Sequence, residues 1–234
     1  MNIPAMGAII PKLAETNKVY ALEFQGHGRT PDINRPITYS DLADDVAEIM
    51  DSVGLQSANV FGYSMGAGAG LQLAIRHPDK VRKLVAASAP YDANGFQPAF
   101  REFIPQMKVE MFLDMPFAHE YRKLAPNPEG FPELARKLIA LEHEPLTWDA
   151  DVRALKVPVL IIAGDSDVLT VEHAVQFFRL LGGGAMGDMG QPMSASRLAI
   201  LPATSHTAVI TQVELLYALI DPFLRGETPK GFMV

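Results

Sequence analysis

Short apolar runs alternate with helical patterns along the chain, and this alternation restricts the fold more than any other feature. Residues 18–24, 59–63, 81–87, 157–163 and 198–201 have the length and composition of buried strands. Helical spacing of apolar residues marks 38–53, 65–76, 171–181 and 212–225. Strands that alternate with helices predict an α/β fold with a mostly parallel sheet and helices on both faces.

Composition excludes several classes of protein. Of the 234 residues, 48% are hydrophobic and 20% charged, so the chain can bury a core. Twenty Lys and Arg against 27 Asp and Glu give a net charge of −7, and no long basic run is present, which argues against nucleic-acid partners. The sequence has no cysteine, which excludes disulfides, Cys-ligated metal centres and thiol nucleophiles.

Neither a membrane span nor a signal peptide is expected. Apolar stretches such as 157–163 are far shorter than the ~20 residues that cross a bilayer. The first residues carry no positive charge, and Pro11 and Lys12 end their short apolar run. We therefore expect a cytoplasmic protein without membrane contact, and the sequence leaves homo-oligomerisation open.

Residues 91–150 differ from the rest of the chain. They are rich in Phe, Met, Pro and charged residues and contain no convincing strand, which predicts a helical insertion. Residues 1–90 and 151–234 then form the core. Aromatic and Met side chains at helical spacing in the insertion are more typical of packing than of a pocket lining: Phe96, Phe100, Phe103, Met107, Met111, Phe112 and Met115.

Residues 185–196 are rich in Gly, Met and Ser and predict a loop.

The segment Gly62-Tyr63-Ser64-Met65-Gly66 lies at a strand-to-helix junction. Small residues around Ser64 allow a sharp turn that leaves the hydroxyl exposed above the sheet, at a helix N-terminus. The pattern alone is common, so an idle serine in a glycine-rich turn is the alternative. Its strand-to-helix context favours a nucleophile.

A serine nucleophile needs a base, and the base needs an acid that orients it. Asp165 and Asp167 follow the predicted strand 157–163, at the edge of a parallel sheet where ligands bind. Capping of the helix near Val171 is the alternative role for these aspartates. His206 lies in a loop after the last predicted strand and is the candidate base.

The other histidines fit structural or solvated roles. His27 lies in a Gly-His-Gly turn and His77 precedes a proline at a helix end, so both are expected to be structural. His119, His143 and His173 lie in helical patterns with polar neighbours and are expected to be solvated. No H-E-x-x-H spacing is present, which disfavours zinc hydrolysis.

The order Ser64, Asp167, His206, with each residue after a strand, resembles the α/β-hydrolase fold family. Residues 24–30 (FQGHGRT) are similar to the family's loop after its fourth strand, and 77–81 (HPDKV) to its turn before the sixth. The family places its acid three residues after the glycine, which selects Asp167 over Asp165. Residues 91–150 lie where the family carries a variable cap.

The resemblance implies a serine hydrolase that cleaves a carboxylic ester or related acyl compound through an acyl-enzyme, without a metal or organic cofactor. Haloalkane dehalogenases and epoxide hydrolases of this fold carry Asp at the turn, so Ser64 argues against both. Carbon–carbon bond hydrolysis and perhydrolysis use the same residues and remain open. A ligand-binding or catalytically impaired relative is the third alternative.

One departure from the family concerns the start of the chain. The family's core begins with strands that precede the one at 18–24, and the loop after the third supplies a second N–H to the oxyanion. Residues 1–14 resemble the helix that follows that loop. The backbone N–H of Met65 remains as one donor. A sequence that starts late is favoured over a shortened variant, and loss of a central strand is expected to expose the edges of its two neighbours.

Overall fold

The computed structural model describes residues 2–187 and 193–229. In these ranges four parallel strands form one sheet in chain order: β1 Ala58–Tyr63, β2 Val81–Ala87, β3 Val159–Ser166 and β4 Arg197–Ser205. The helices are α1 Ile9–Ala14, α2 Tyr39–Ser52, α3 Met65–Arg76, α4 Pro98–Phe103, α5 Pro116–Leu124, α6 Phe131–Glu142, α7 Asp149–Ala154, α8 Val171–Leu180 and α9 Val213–Arg225. The predicted α/β fold class is confirmed.

Helices cover both faces of the sheet because successive strand residues point to opposite sides. On β2, Leu84 and Ala86 belong to the core that includes α2, α3 and α8. Val85 and Ala87 belong to a second core with α1 and α9. Where both faces of a strand are covered, consecutive residues are apolar, which explains the unbroken hydrophobic runs at residues 84–87 and 159–163.

Local signals place the helix boundaries close to those predicted. Thr38 caps α2 by accepting a hydrogen bond from the Asp41 N–H at 3.1 Å. Thr170 caps α8 in the same way, with the His173 N–H at 3.2 Å. Helix α9 ends at Gly226, whose φ of 75° suits glycine.

The strand predicted at residues 18–24 is wrong. This segment forms no strand pairing, and its apolar side chains Val19, Tyr20 and Leu22 are exposed. Within the described ranges β1 pairs with β2 on one side and has no strand on the other. A strand is stabilised by hydrogen bonds to a neighbour, so a suitable sequence alone does not form one.

Residues 91–150 fold as helices α4 to α6 with short 3-10 turns, and α7 begins at their end. The two ends of the segment meet, because Asp92 and Thr147 form an antiparallel bridge and the Trp148 N–H donates to the Tyr91 carbonyl at 3.0 Å. Some of the predicted packing residues are exposed instead: Phe103, Met111 and Met115. The division of the chain into core and cap stays a prediction.

The structure bears only in part on the loop predicted at 185–196 and on the expectation that no segment spans a membrane. The loop predicted at 185–196 lies partly outside the described residues, since 188–192 are not described. None of the helices in the described ranges has the length and apolar character needed to cross a membrane.

Candidate active site

Ser64 lies in a sharp turn between β1 and α3, with φ 54° and ψ −123°. A positive φ is costly for a residue with a Cβ, so the surroundings must enforce it. The Ser64 N–H donates to the Ala87 carbonyl of β2 at 2.8 Å, which holds the turn against the sheet. A Cβ on Gly62 would lie 2.2 Å from the Gly66 carbonyl oxygen, so the approach of strand and helix requires glycine there.

His206 follows β4 directly and opens a 3-10 helix, His206–Thr211. Its Nε2 lies 3.0 Å from the Ser64 Oγ, at hydrogen-bond distance. The Tyr63 hydroxyl donates to the His206 carbonyl oxygen at 2.8 Å, and the two rings lie 5.2 Å apart. Burial, with a smaller contribution from the charge of Asp167, raises the pKa of Tyr63 to about 12, so the phenol stays a donor in alkaline as well as neutral solution.

Asp167 completes a hydrogen-bonded chain through His206. Its Oδ1 lies 2.7 Å from His206 Nδ1, and the residue is 4% exposed. Burial alone would raise the pKa of Asp167, but hydrogen bonds from His206, Ser88 and the Gly164 N–H, together with the imidazolium charge, lower it below its usual value. The carboxylate therefore stays ionised at neutral pH.

Asp165, the other candidate aspartate, lies near the end of β3, and the carboxylate that contacts His206 is that of Asp167 instead. The Asp165 carboxylate accepts hydrogen bonds from the backbone N–H groups of Ala203 and Thr204 at 2.8 and 3.1 Å. Asp165 therefore holds the end of β4, immediately before His206. The alternative that these aspartates cap α8 is wrong, since Thr170 does so.

Met65 is the first residue of α3, where a backbone N–H has no carbonyl one turn earlier in the helix. In the described part of the chain this N–H has no hydrogen-bond partner. It adjoins Ser64, and its role as an oxyanion donor stays a prediction.

The remaining histidines lie apart from this chain of hydrogen bonds. His27 is buried against the Gln25 carbonyl, His77 contacts Asp44, and His119 and His143 are exposed. The expectation for His173 is wrong, because it is 4% exposed and stacks on Tyr91 at 4.3 Å. Burial lowers its pKa to about 4, so it stays neutral.

Sequence reasoning missed two residues at the site, Tyr63 and Ser88. The Ser88 hydroxyl donates to Asp167 Oδ2 at 2.5 Å. Ser88 directly follows an apolar strand, as Ser64 does, and this parallel could have indicated it. Across residues 2–187 and 193–229, no cluster of three His, Asp or Glu side chains is arranged to hold a metal ion.

Comparison with known proteins agrees with the fold. A family model described as alpha/beta hydrolase fold matches residues 3–125. "Putative carbamate hydrolase RutD" of Caulobacter sp. (strain K31) is 35% identical over 96% of this chain and 85% of its own length. The "Pimeloyl-[acyl-carrier protein] methyl ester esterase" of Neisseria meningitidis serogroup B (strain MC58) is 26% identical over 93% of this chain and 86% of its own.

A solved structure extends the agreement to the whole fold. MGS-M2, an alpha/beta hydrolase enzyme from a Medee basin deep-sea metagenome library, superposes with a TM-score of 0.72 at 16% identity, covering 100% of this chain and 88% of its own. The family match spans more than half of the chain. The protein described here therefore belongs to the α/β-hydrolase fold family.

Proposed function

We propose that the protein is a serine hydrolase that cleaves carboxylic esters through an acyl-enzyme. The observation that carries the proposal is the continuous chain of contacts from Ser64 Oγ to His206 Nε2 at 3.0 Å and from His206 Nδ1 to Asp167 at 2.7 Å. A nucleophile, a base and an orienting acid within hydrogen-bond reach are the arrangement that acyl transfer needs.

Each residue has one role in the proposed reaction. Ser64 Oγ attacks the ester carbonyl while its proton passes to His206 Nε2, and the charge that develops on the carbonyl oxygen is stabilised by the Met65 N–H. His206 then donates the proton to the departing alcohol, leaving an acyl group on Ser64. A water molecule, deprotonated by His206, attacks the acyl-enzyme and releases the acid. Asp167 holds the imidazole in the tautomer with a proton on Nδ1.

We assign residues 91–150 as a cap beside this site. Its first segment is hydrogen-bonded to the loop after Asp167: the Gln97 N–H donates to the Val168 carbonyl at 2.8 Å, and the Thr170 N–H donates to the Gly95 carbonyl at 2.9 Å. This attachment supports a cap that contacts the acyl substrate. The substrate proposed is a small molecule.

Esterase activity is tested with 4-nitrophenyl acetate and butyrate. We expect turnover by the wild type and a fall in kcat of about 10³-fold or more for Ser64→Ala, which lacks the nucleophile. Ser52→Ala, which changes an exposed serine at the end of α2, serves as the matched control and is expected to keep wild-type kcat. Equal turnover by the wild type and Ser64→Ala, or no turnover of any ester, would contradict the proposal.

Carbamate hydrolysis is a second candidate, favoured by the 35% identity to the relative named for that activity. A carbamate presents a carbonyl to the same serine, but its nitrogen lone pair makes that carbonyl less electrophilic. Phenyl carbamate and phenyl acetate, compared by kcat/KM, separate the two. A higher value for the carbamate would replace ester hydrolysis as the leading activity.

A further inference from the structure

Ser88 has the same place on β2 that Ser64 has on β1. Each serine is the first residue after its strand, and each has a positive φ, 54° for Ser64 and 56° for Ser88. The Ser64 N–H donates to the Ala87 carbonyl, and the Ser88 N–H donates to the Ile162 carbonyl, both at 2.8 Å. Two adjacent parallel strands thus end in similar turns and present their hydroxyl groups at the same edge of the sheet.

The Ser88 hydroxyl completes the set of donors around Asp167. Oδ1 accepts from His206 Nδ1 and from the Val168 N–H, both at 2.7 Å. Oδ2 accepts from the Ser88 hydroxyl at 2.5 Å and from the Gly164 N–H at 3.2 Å. A carboxylate offers about four lone-pair sites, so these four donors satisfy it.

Neither partner of this hydrogen bond is open to solvent. Ser88 is 2% exposed, and the Asp167 side chain is 0% exposed. Removing the hydroxyl would therefore leave a buried carboxylate oxygen with a single, longer hydrogen bond and no access to bulk water. The oxygen that faces His206 would lose a constraint on its orientation.

We propose that Ser88 is a positioning residue, which fixes one oxygen of Asp167 so that the other stays directed at His206. The inference rests on the proposed serine-hydrolase function. Within the described residues the Ser88 hydroxyl is hydrogen-bonded to Asp167 and not to Ser64 or His206, so it acts through Asp167. Its loss should therefore lower kcat and leave KM unchanged, since substrate binding does not involve it.

The titration of the Asp167–His206 pair provides a readout that a purely structural role would not alter. Without the Ser88 donor, negative charge concentrates on the oxygen that faces His206, and the pair holds its proton more strongly. Titratable neighbours in the described chain are Tyr63 of β1, whose pKa the charge of Asp167 helps to raise, and Glu142 at the end of α6, whose pKa the charge of His206 helps to lower against the effect of burial. The Ser88 variants leave both residues in place.

Ser88→Ala and Ser88→Gly test the proposal together. Both lack the hydroxyl, but glycine suits a φ of 56° and guards against misfolding of the alanine variant. With 4-nitrophenyl acetate we expect kcat to fall about 10- to 100-fold in both variants at unchanged KM. The acid limb of the kcat/KM profile should move up by about half to one pH unit.

An NMR titration of the His206 ring in the free protein gives a readout independent of turnover, and its midpoint should move in the same direction. That shift supports the role of Ser88 on Asp167 even if Ser64→Ala refutes the serine-hydrolase proposal. Wild-type kcat and an unmoved NMR midpoint in Ser88→Gly would overturn the inference. So would a loss of kcat accompanied by a lower melting temperature and an unmoved NMR midpoint, because general destabilisation would then explain it.

Discussion

The two glycines around Ser64, Gly62 and Gly66, differ in the space that a side chain would have. A Cβ on Gly62 would lie 2.2 Å from the Gly66 carbonyl oxygen and 2.6 Å from the Ala67 Cα, and these backbone atoms cannot move without shifting α3. A Cβ on Gly66 would meet nothing within 4 Å. The first glycine is therefore required by packing, and the second is not.

We expect Gly62→Ala to lower the free energy of unfolding by about 1–3 kcal/mol and to displace Ser64 from His206. Gly66→Ala should fold as well as the wild type or gain up to ~1 kcal/mol, because alanine favours a helix. Urea unfolding measures the stabilities, and 4-nitrophenyl acetate hydrolysis reports on Ser64 in Gly62→Ala. Equal destabilisation by the two substitutions would show that the close approach at Gly62 is not the constraint.

The sequence predicts Ser64 and His206 because each follows a strand and the ends of parallel strands meet at one edge. It prefers Asp167 to Asp165 only through the family resemblance. It indicates Ser88 only as another residue directly after a strand, and it gives no signal for the contact that Tyr63 makes with His206. The hydrogen bonds of these two residues depend on which strands are neighbours and on the register between them. Ala87, for example, pairs with Tyr63 on one side and with Ile162 on the other, and no local sequence pattern predicts these pairings. Without the resemblance, the residues leave Asp165 and Asp167 open for the same reason, since the partners of Asp165 lie on β4.

At the scale of elements, helices α2 and α3 pack closely where Gly68 of α3 faces Tyr39 of α2. A Cβ on Gly68 of α3 would lie 2.3 Å from Cε1 of Tyr39, the first residue of α2. Tyr39 in turn packs edge-on against Trp148, with ring centroids 5.3 Å apart. An added methyl group would therefore push the tyrosine ring towards the segment that precedes α7.

We expect Gly68→Ala to destabilise the protein by about 1–3 kcal/mol through overpacking, although alanine is the better helix former. Gly66→Ala, in the same helix but facing open space, is the control. Adding Tyr39→Leu to Gly68→Ala should recover part of the loss, as a double-mutant cycle in unfolding free energy would show. Additive effects in that cycle would place the cost of Gly68→Ala elsewhere.

Helices were easier to predict than strands because their signals are local. The Thr38 cap and the apolar spacing of α2 need no information from the rest of the chain. Residues 18–24 carry equally suitable strand residues, but a strand also requires a partner, and in the described ranges the sheet begins at β1.

At the scale of the whole molecule, a buried ion pair joins the 91–150 segment to the core. Lys137 of α6 is 5% exposed, and its Nζ donates to both carboxylate oxygens of Asp32, at 2.9 and 2.7 Å, and to the Ile33 carbonyl at 2.6 Å. Partial burial alone would raise the pKa of Asp32, but hydrogen bonds from Lys137 and Gln25 and the charge of Lys137 lower it.

We expect Lys137→Met to lower the free energy of unfolding by about 2–4 kcal/mol. The cost falls below the ~3–5 kcal/mol of a fully buried pair because the Asp32 side chain is 21% exposed. Lys123→Met, which removes an exposed pair with Glu120, should cost ~1 kcal/mol or less. Urea unfolding at pH 7 compares the two variants.

The Asp32 carboxylate also makes this contact sensitive to acid. Because its folded pKa lies below the unfolded value of ~3.9, the stabilisation is complete above that pH and is lost as pH falls through the folded pKa. The difference in unfolding free energy between the wild type and Asp32→Asn should therefore be constant from pH 7 to about pH 5 and shrink below about pH 4. A difference that persists unchanged into acid would mean that the charge of Asp32 does not hold α6 to the core.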